Sequence, residues 1–259
     1  MAKESTFEGM VAGKTALVTG GGSGIGEATT TLLAIEGASV AVVDRDGDAA
    51  SRVAAAIQAI GGTSIALEVD VTDQTAVVAM VDAVAGAFGR LDIAHNNAGI
   101  SGTPSSFIDV PADEWHEMLS INLTGVFFCM QAELRVMVQQ QSGSIVNTSS
   151  VAGVTAVPSL PHYAAAKHGV LGLTKSAARE YAKQGIRVNA VLPGFIRTPM
   201  TEAMISSSPE MEKLMNRTVG RGVAGAPSEI AETVVWLGSD RSSLVCGESV
   251  IVDGGTACR

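Results

Sequence analysis

Short apolar runs alternate with longer amphipathic segments along almost the whole chain. The runs are rich in β-branched residues and begin near residues 15, 39, 64, 91, 144, 186 and 248. Segments of helical length lie between them, at 25–36, 47–60, 73–88, 113–138, 161–183 and 227–237. Nearly continuous apolar strands separated by helices are typical of a parallel sheet that is covered on both faces. The pattern predicts an α/β fold: one doubly wound parallel sheet of the Rossmann type with helices on both faces.

No linker, internal repeat or low-complexity tract interrupts this alternation. The chain of 259 residues is therefore predicted to form one domain over residues 1–259. Gly37, in the stretch IEGASV, stands where the first helix should end before the second strand, a position that favours glycine.

Composition and charge exclude several classes of protein. Hydrophobic residues make up 46% of the chain and charged residues 17%, which indicates a compact globular protein. The net charge of −9 and the lack of a Lys/Arg run argue against nucleic acid and anionic membranes as partners. The start MAKESTFEG lacks the apolar core of a signal peptide, and no long apolar run follows, so a cytoplasmic location is expected. The three cysteines and four histidines lack ligand spacing, so no metal site is expected.

The first predicted strand runs into the glycine-rich stretch TGGGSGIG, residues 19–26. Glycines at 20, 24 and 26 permit a tight turn and a close approach of the backbone to a pyrophosphate, and the following helix offers its free N–H groups. Taken alone, an ordinary glycine-rich turn is an equally good interpretation. The second strand, however, ends at Asp44, where a carboxylate would hold a ribose 2′-hydroxyl. The two features together predict a dinucleotide site.

The stretch HYAAAKHG, residues 162–169, places Tyr163 one helical turn before Lys167 with only alanine between them. A phenol can act as an acid or base, but its ordinary pKa of about 10 makes it a weak base near neutrality. A nearby ammonium would lower that pKa. A tyrosine and a lysine solvated on a helix surface are the alternative for the spacing alone.

These motifs resemble those of the short-chain dehydrogenase/reductase family over nearly all of the chain. The family's T-G-x-x-x-G-x-G matches residues 19–26, its N-N-A-G matches Asn96–Gly99 and its Y-x-x-x-K matches Tyr163–Lys167. Its serine, which precedes the tyrosine by 13 residues, corresponds to Ser150, its helix asparagine to Asn122 and its P-G turn to Pro193–Gly194. The resemblance implies an oxidoreductase that interconverts a secondary alcohol and a ketone with a nicotinamide cofactor.

The resemblance also assigns the residues of the site. Tyr163 would move the hydroxyl proton during hydride transfer, and Ser150 would bond the reacting oxygen. Lys167 would hold the ribose hydroxyls and, together with the positive charge of an oxidised nicotinamide, would lower the pKa of Tyr163. The implied catalytic set is Asn122, Ser150, Tyr163 and Lys167. The implied cofactor set is Gly20, Ser23, Gly24, Ile25, Gly26, Asp44, Asp70, Val71, Asn97, Ala98, Gly99, Tyr163, Lys167, Pro193, Gly194, Ile196 and Thr198. Within it, Asp70 and Val71 would flank the adenine, and Ile196 and Thr198 would hold the carboxamide.

Asn122 can also be judged from helical periodicity. Trp115, Leu119, Val126 and Met130 recur at helical spacing, and Asn122 falls on the buried stripe that they predict. A buried amide needs hydrogen-bond partners. From the pattern alone those partners are backbone groups; the resemblance implies a water held between Asn122 and Lys167, which we favour.

Asp44 makes NAD the expected cofactor rather than NADP. Its carboxylate would accept bonds from the ribose hydroxyls and would repel a 2′-phosphate. Arg45 could instead clamp that phosphate, although family members that bind the phosphate often carry a basic residue at the position of Ser23. An NADPH-dependent reductase of 3-oxoacyl thioesters would use the same motifs and is the alternative function. A third possible function is that of a regulatory nucleotide-binding protein without catalysis. Such a protein would need the cofactor-binding residues but not Ser150, Tyr163 and Lys167, whose presence argues against it.

By resemblance, residues 199–222 form a lid over a small-molecule alcohol or ketone. The lid carries Met200, Met204, Met211 and Met215, which could share a helical face that Pro209 is expected to break. Such adaptable apolar surface predicts a hydrophobic, alicyclic or aromatic substrate; packing of the lid onto the body is the alternative. His162 could contact this substrate, or it could lie at the surface or cap the helix.

Two predicted helices, which carry residues 115–137 and 164–178, indicate that the chain forms an oligomer. Each is too apolar for a helix with one buried side. Within the family these helices commonly pair across subunits. A homotetramer is therefore expected, with a dimer as the alternative.

Overall fold

The fold is a seven-stranded parallel sheet in a computed structural model that describes residues 9–205, 213 and 216–258. The strands lie in the order β3-β2-β1-β4-β5-β6-β7. They are β1 (Thr15–Thr19), β2 (Ser39–Asp44), β3 (Ser64–Glu68), β4 (Ile93–Asn96), β5 (Gly143–Thr148), β6 (Ile186–Pro193) and β7 (Ser249–Val252). All pairings are parallel, and each predicted apolar run supplies one strand, which confirms the doubly wound fold.

The helices lie between the strands, close to their predicted bounds. They are α1 (Gly24–Ile35), α2 (Gly47–Ala59), α3 (Gln74–Phe88), α4 (Ala112–Leu119), α5 (Gly125–Gln140), α6 (Pro161–Tyr181), α7 (Pro199–Ile205) and α8 (Pro227–Gly238). Asp46 and Asp73 cap α2 and α3 with their side chains. Gly37 has a φ of +91° directly after α1, as its position in the sequence predicts.

Two apolar layers hold the helices on the sheet. On one face, buried residues of α3, α5 and α6 such as Val81, Met130 and Val170 pack against Leu17 and Ile145 of the strands. On the other face, α1 and α2 pack on β1 and β2, and α8 packs on β5 and β6. Because both faces are covered, the carboxyl edge of the sheet is left free for a site.

The predicted helix 113–138 is interrupted. A π-helical turn at Ser120–Thr124 joins α4 to α5, so one extra residue enters the helix at that point. The stripe after the turn is as predicted, with Val126 and Met130 buried. Before the turn the prediction was wrong: Trp115 is exposed, and Met118 is buried instead of Leu119, because the extra residue rotates α4 relative to α5.

Ala112–Gln140 is also the candidate membrane span within the described residues. By length and composition alone it could cross a bilayer. Half of its most apolar window, however, is buried inside the protein. That burial matches a core helix, which meets the same criteria of length and composition.

Candidate active site

A cleft of about 480 Å³ opens at the carboxyl ends of the strands, next to the switch point between β1 and β4, on either side of which the strand order runs in opposite directions. Such switch points are where doubly wound sheets bind ligands. The lining includes every residue of the expected cofactor set except Gly26, and three of the four expected catalytic residues, Ser150, Tyr163 and Lys167. The structure therefore brings the separate sequence motifs together in one place.

The glycine-rich stretch forms a tight turn into α1. Gly20 and Gly24 have φ values of +63° and +53°, which favour glycine. Ser23 is extended and makes no side-chain cap, so the first N–H groups of α1 remain available to an anion. Gly26 does not line the cleft; it packs against the turn instead. A Cβ atom at Gly26 would collide with the carbonyl of Gly20, so the turn requires glycine there.

The turn is tied to the end of β4. The Thr19 hydroxyl accepts hydrogen bonds from the N–H groups of Asn97 and Ala98, at 3.0 and 3.1 Å. The Asn97 amide in turn donates to the carbonyls of Thr19 and Gly20. Gly20, Asn97 and Ala98 are thus held as one rigid wall of the cleft.

Asp44 lies at the end of β2 with its carboxylate fixed beside the glycine-rich turn. It accepts hydrogen bonds from the N–H groups of Gly22, at 3.0 Å, and Asp46, at 3.1 Å. Arg45 also lines the cleft, but it is exposed. At the adjacent strand end, Asp70 accepts two hydrogen bonds from Thr72, and these lower the pKa of its carboxyl group.

Ser150 and Tyr163 face each other across the inner part of the cleft. Ser150 is extended, and its hydroxyl accepts a hydrogen bond from Ala152 N–H at 3.1 Å. Burial raises the pKa of Tyr163, and a hydrogen bond with Ser150 partly opposes that effect. In the protein alone the pKa of the phenol is therefore raised. The lowering expected from Lys167 together with an oxidised nicotinamide stays a prediction.

Lys167 is buried one turn along α6. Its Nζ atom lies 5.7 Å from the centre of the Tyr163 ring and donates a hydrogen bond to the Thr148 carbonyl at 2.9 Å. Burial lowers the pKa of Lys167 to about 8. The ammonium has few partners in the protein, so a hydroxyl or phenolate in the cleft would find it ready to donate.

Asn122 lies in the π-helical turn, completely buried and outside the cleft lining. Its side-chain amide holds the backbone of Ile100: Oδ1 accepts from the N–H group and Nδ2 donates to the carbonyl, both at 2.8 Å. The backbone-bonded interpretation is therefore what the structure shows. A side chain at Gly99 would touch both Asn122 Oδ1 and Lys167 Nζ, so glycine leaves a gap between them.

The far wall of the cleft follows β6. Pro193, Gly194, Ile196 and Thr198 all line it. The Thr201 hydroxyl accepts from Thr198 N–H at 2.9 Å and donates to the Ile196 carbonyl at 2.6 Å, which fixes the bend into α7.

The substrate lid was predicted on residues 199–222. Met200 lines the cleft and is 44% exposed. The Met204 side chain and residues Pro209, Met211 and Met215 lie outside the described residues. The shared methionine face therefore stays a prediction.

Several residues of the cleft were not anticipated. Ile100, Ile121, Thr148, Ser149 and Thr201 line it. The sequence could have indicated them only through their positions, because each lies within a few residues of a recognised motif but belongs to none.

His162 is fully buried, which excludes the surface role, and it does not line the cleft. His95 is also fully buried, and burial lowers its pKa to about 3, so it is neutral. Within the described ranges, no group of three or more His, Cys, Asp or Glu side chains is arranged to hold a metal ion.

Comparison with known proteins places the chain among oxidoreductases. The family profile described as enoyl-(acyl carrier protein) reductase matches residues 20–257. A 2,5-dichloro-2,5-cyclohexadiene-1,4-diol dehydrogenase of Sphingobium indicum is 43% identical over 95% of this chain and 97% of its own. A cyclohexanol dehydrogenase of Acinetobacter sp. is 42% identical over 93% and 94%. A 3-oxoacyl-acyl-carrier-protein reductase of Thermotoga maritima is 40% identical over 94% and 97%.

Solved structures agree with these relatives. Levodione reductase superimposes with a TM-score of 0.92 at 38% identity, over 95% of this chain and 98% of its own. NAD⁺-bound xylitol dehydrogenase superimposes with a TM-score of 0.91 at 34% identity, over 95% and 99%. Identity at this level over nearly whole chains identifies a common family and not only a common fold.

Proposed function

Because the chain belongs to the short-chain dehydrogenase/reductase family and is an oxidoreductase of secondary alcohols and ketones, we propose that it uses NAD and acts on apolar alicyclic alcohols. The observation that carries this proposal is the cleft itself. One cavity is lined by the glycine-rich turn at one end and by Ser150, Tyr163 and Lys167 at the other.

The residues present fit a nicotinamide dinucleotide. The turn at Gly20 and Gly24 leaves no side chain where a pyrophosphate would approach the backbone, and α1 begins there with uncapped N–H groups. Asp44 stands at the ribose end, with Asp70 and Val71 at the adjacent strand end. When bound, the cofactor supplies the hydride acceptor for alcohol oxidation and the hydride donor for ketone reduction.

Asp44 supports NAD over NADP. Two backbone N–H groups hold its carboxylate at the strand end, whereas the Arg45 side chain is exposed. The fixed carboxylate would accept bonds from two ribose hydroxyls and would repel a 2′-phosphate at short range. The NAD⁺-bound state of the xylitol dehydrogenase neighbour is consistent with this choice.

The residues of the inner cleft would move the proton. During oxidation the phenol oxygen of Tyr163 would take the hydroxyl proton of the alcohol while the carbon loses its hydride. The Ser150 hydroxyl would bond the same oxygen and hold it beside the phenol. The Lys167 ammonium would hold ribose hydroxyls and, with the charge of the oxidised cofactor, would favour the phenolate. In ketone reduction Tyr163 would return the proton.

Asn122 would complete this set indirectly. Gly99 leaves a gap between Asn122 Oδ1 and Lys167 Nζ, and a carbonyl oxygen that accepts one hydrogen bond has a second lone pair. A water in that gap would bond both atoms and carry the proton away from Tyr163 through Lys167.

An apolar ring substrate is supported by apolar side chains in the cleft. Ile100, Ile121 and Met200 line it. Three of the similar proteins are named for cyclic alcohols or ketones. Methionine and isoleucine walls bury a hydrocarbon ring and give no partners to a polyol.

Reduction of 3-oxoacyl thioesters with NADPH is the second candidate. The 40% identity to a 3-oxoacyl-acyl-carrier-protein reductase supports it. Arg45, which lines the cofactor end of the cleft, could bind the 2′-phosphate that this activity requires. The position of Asp44 argues against it.

The test is a matched panel of substrates and cofactors. Cyclohexanol, xylitol and a 3-hydroxyacyl thioester are each offered with NAD⁺ and with NADP⁺, and absorbance of the reduced cofactor is followed. The proposal expects turnover of cyclohexanol with NAD⁺ and little with xylitol. Turnover of xylitol alone would contradict the apolar substrate, and turnover of the thioester with NADP⁺ would favour the second candidate.

We also propose a cytoplasmic homotetramer with a lid at residues 199–222 and one domain over the whole chain. Phe127 on α5 is 43% exposed, and Trp115 on α4 is also exposed, which supports a covered apolar surface in an assembly. Light scattering should return a mass near four times 26.4 kDa. A mass near 26.4 kDa would contradict the tetramer.

A further inference from the structure

His162 is a buried histidine that the proposed chemistry does not use. It lies in the first turn of α6, directly before Tyr163, and is fully inaccessible to solvent. Neither ring nitrogen has a hydrogen-bond partner within the described part of the chain. A buried polar ring in this condition needs an explanation, because apolar residues of similar size would fill the space without the cost of desolvation.

The ring faces the loop that follows β4. A Cβ atom at Gly102 would lie 2.6 Å from His162 Nε2 and 2.6 Å from Met118 Cε, so the loop backbone passes directly over the ring. Gly102 has a φ of +71°, which also favours glycine. Only a glycine lets the loop come this close to both α4 and α6.

Glu114 of α4 connects the ring to the same loop. Its Oε1 atom lies 3.6 Å from His162 Nε2, within ion-pair distance when the ring is protonated. The same oxygen accepts a hydrogen bond from Thr103 N–H at 2.7 Å. One carboxylate oxygen therefore joins the helix of Tyr163 to the loop.

The loop carries a wall of the cleft at one end. Ile100 lines the cleft, and Asn122 holds its backbone. At the other end Ser105 N–H donates to the Ser159 carbonyl at 2.8 Å. Between these two attachments the loop is held through Gly102 and Thr103, at the His162–Glu114 pair.

We propose that His162 is a positioning residue for the alcohol: with Glu114 it fixes residues 100–105 and so sets the Ile100 wall beside Tyr163. This inference rests on the proposed function, since it concerns the substrate end of the same cleft. It assigns to His162 no contact with substrate or cofactor. Loss of the pair should loosen the substrate wall and leave the cofactor end unchanged.

The variants are His162→Leu, His162→Gln and Glu114→Gln. Leucine fills the space without a polar atom, whereas glutamine can place an N–H group near the position of Nε2. Glu114→Gln keeps an oxygen for Thr103 but removes the charge. The matched control is His168→Leu, an exposed histidine on the same helix.

His162→Leu should raise the KM for cyclohexanol about tenfold or more, with kcat and the Kd of NADH changed by less than about threefold. His162→Gln should restore most of the lost affinity, and His168→Leu should behave as the native enzyme. The double variant His162→Leu/Glu114→Gln should be no worse than the poorer single variant. An unchanged KM, or a parallel loss of kcat and NADH affinity, would overturn the proposal.

A second measurement does not depend on activity. Hydrogen exchange of residues 100–105, and of Thr103 N–H above all, should be faster in His162→Leu than in the native protein or in His168→Leu. Unchanged exchange would overturn the role of His162. If the native protein oxidised no alcohol, the proposed substrate would fail, while faster exchange would still support the positioning of the loop.

Discussion

Lys167 and Glu133 are two buried ionisable residues in neighbouring helices, and only one of them opens into the cleft. Lys167 of α6 is 4% exposed and lines the cleft, whereas Glu133 of α5 is fully buried and does not. Burial lowers the pKa of Lys167 to about 8 and raises that of Glu133 to about 8. The same physical effect acts on both, in opposite directions, because desolvation disfavours the charged form of either group.

Their partners separate the two residues. Lys167 Nζ uses one hydrogen bond, to the Thr148 carbonyl, and keeps donors for a ligand. Glu133 lies in a buried network in which Asn96 donates to Glu133 Oε2 and to Asn147 Oδ1, each at 3.0 Å, and Asn147 donates to Thr174. Glu133 Oε1 is buried without a hydrogen-bond partner among the described residues. A shifted pKa therefore indicates chemistry only where the group also reaches a cavity, and the shifted pKa of Glu133 bears instead on how stability depends on pH.

The largest expected effect on activity comes from substitutions of residues that line the cleft. Tyr163→Phe keeps the ring and removes the proton, so kcat should fall by the 10²–10⁴-fold typical of a lost acid or base while the Kd of NADH stays close to native. Lys167→Met should damage both quantities, because one ammonium serves the phenol and the ribose. Steady-state kinetics and a fluorescence titration with NADH measure the two effects.

Glu133→Gln is the matched control for that experiment. It should leave kcat and NADH affinity close to native at pH 7, since the carboxyl group is already neutral there. A Tyr163→Phe enzyme with more than about a tenth of native kcat would contradict the proposed mechanism. A large loss of kcat in Glu133→Gln would show that a buried group outside the cleft also contributes to catalysis, and would contradict the distinction between Lys167 and Glu133.

Asp44 extends the comparison to a second carboxyl group that, unlike Glu133, lines the cleft. Its negative charge is expected to determine which cofactor binds. The native enzyme should prefer NAD by a factor of about 100 in kcat/KM, equal to about 2.7 kcal/mol, through repulsion between Asp44 and a 2′-phosphate. Asp44→Ala should remove that preference and allow Arg45 to bind the phosphate. Measurements with both cofactors test this directly.

The double variant Asp44→Ala/Arg45→Ala separates the two side chains. It should lose the NADP activity that Asp44→Ala gains, because Arg45 would no longer supply a cation to the phosphate. A native preference for NADP would show that Arg45, and not Asp44, determines the cofactor.

The sequence predicts the cofactor end of this cleft better than its surroundings. Gly20 and Asp44 follow from a strand, a glycine-rich turn and a second strand in the right order, whereas Ser150 and the role of Tyr163 are assigned by resemblance to the family. The fold follows from strand and helix periodicity in the same way. Because helical periodicity assumes a constant pitch, the π-helical turn at Ser120–Thr124 could not be predicted, and with it the burial of Met118.

Other features depend on packing between distant elements. The burial of His162 depends on the path of the loop at Gly102, which no local pattern encodes. Glu133 did leave a signal: it falls on the stripe of Val126, Met130 and Met137, where a charged residue is unexpected. Its partners Asn96 and Asn147, however, come from two strands and are found only in the structure.

Glu133 should affect how the free energy of unfolding depends on pH. The folded pKa of Glu133, about 8, exceeds its ordinary value of 4.5, so the folded state binds more protons than the unfolded state between those pH values. Stability contributed by Glu133 is therefore complete below pH 4.5 and is lost as the pH rises towards 8, by up to about 1.4 kcal/mol per pH unit. Relative to native protein, Glu133→Gln should gain stability over this range.

Urea denaturation at a series of pH values measures this effect. Glu117→Gln, an exposed substitution on α4, is the control and should run parallel to the native protein. Parallel curves for Glu133→Gln and the native protein would show that Glu133 is ionised in the fold.

Lys167 should give the opposite slope over an adjacent and narrower range, which makes it the smallest of these effects. Its folded pKa of about 8 lies below its ordinary 10.5, so between these values the unfolded chain binds the extra proton. Stability of the cofactor-free protein should therefore rise with pH through this range relative to Lys167→Met, by at most about 1.4 kcal/mol per pH unit. Lys175→Met, an exposed substitution on the same helix, should show no such difference. Saturating NADH should reduce the slope, because a ribose hydroxyl that bonds the ammonium stabilises its charge, whereas the slope from Glu133 should not respond to NADH. If NADH changed both slopes equally, the two residues would not differ in their access to the cleft.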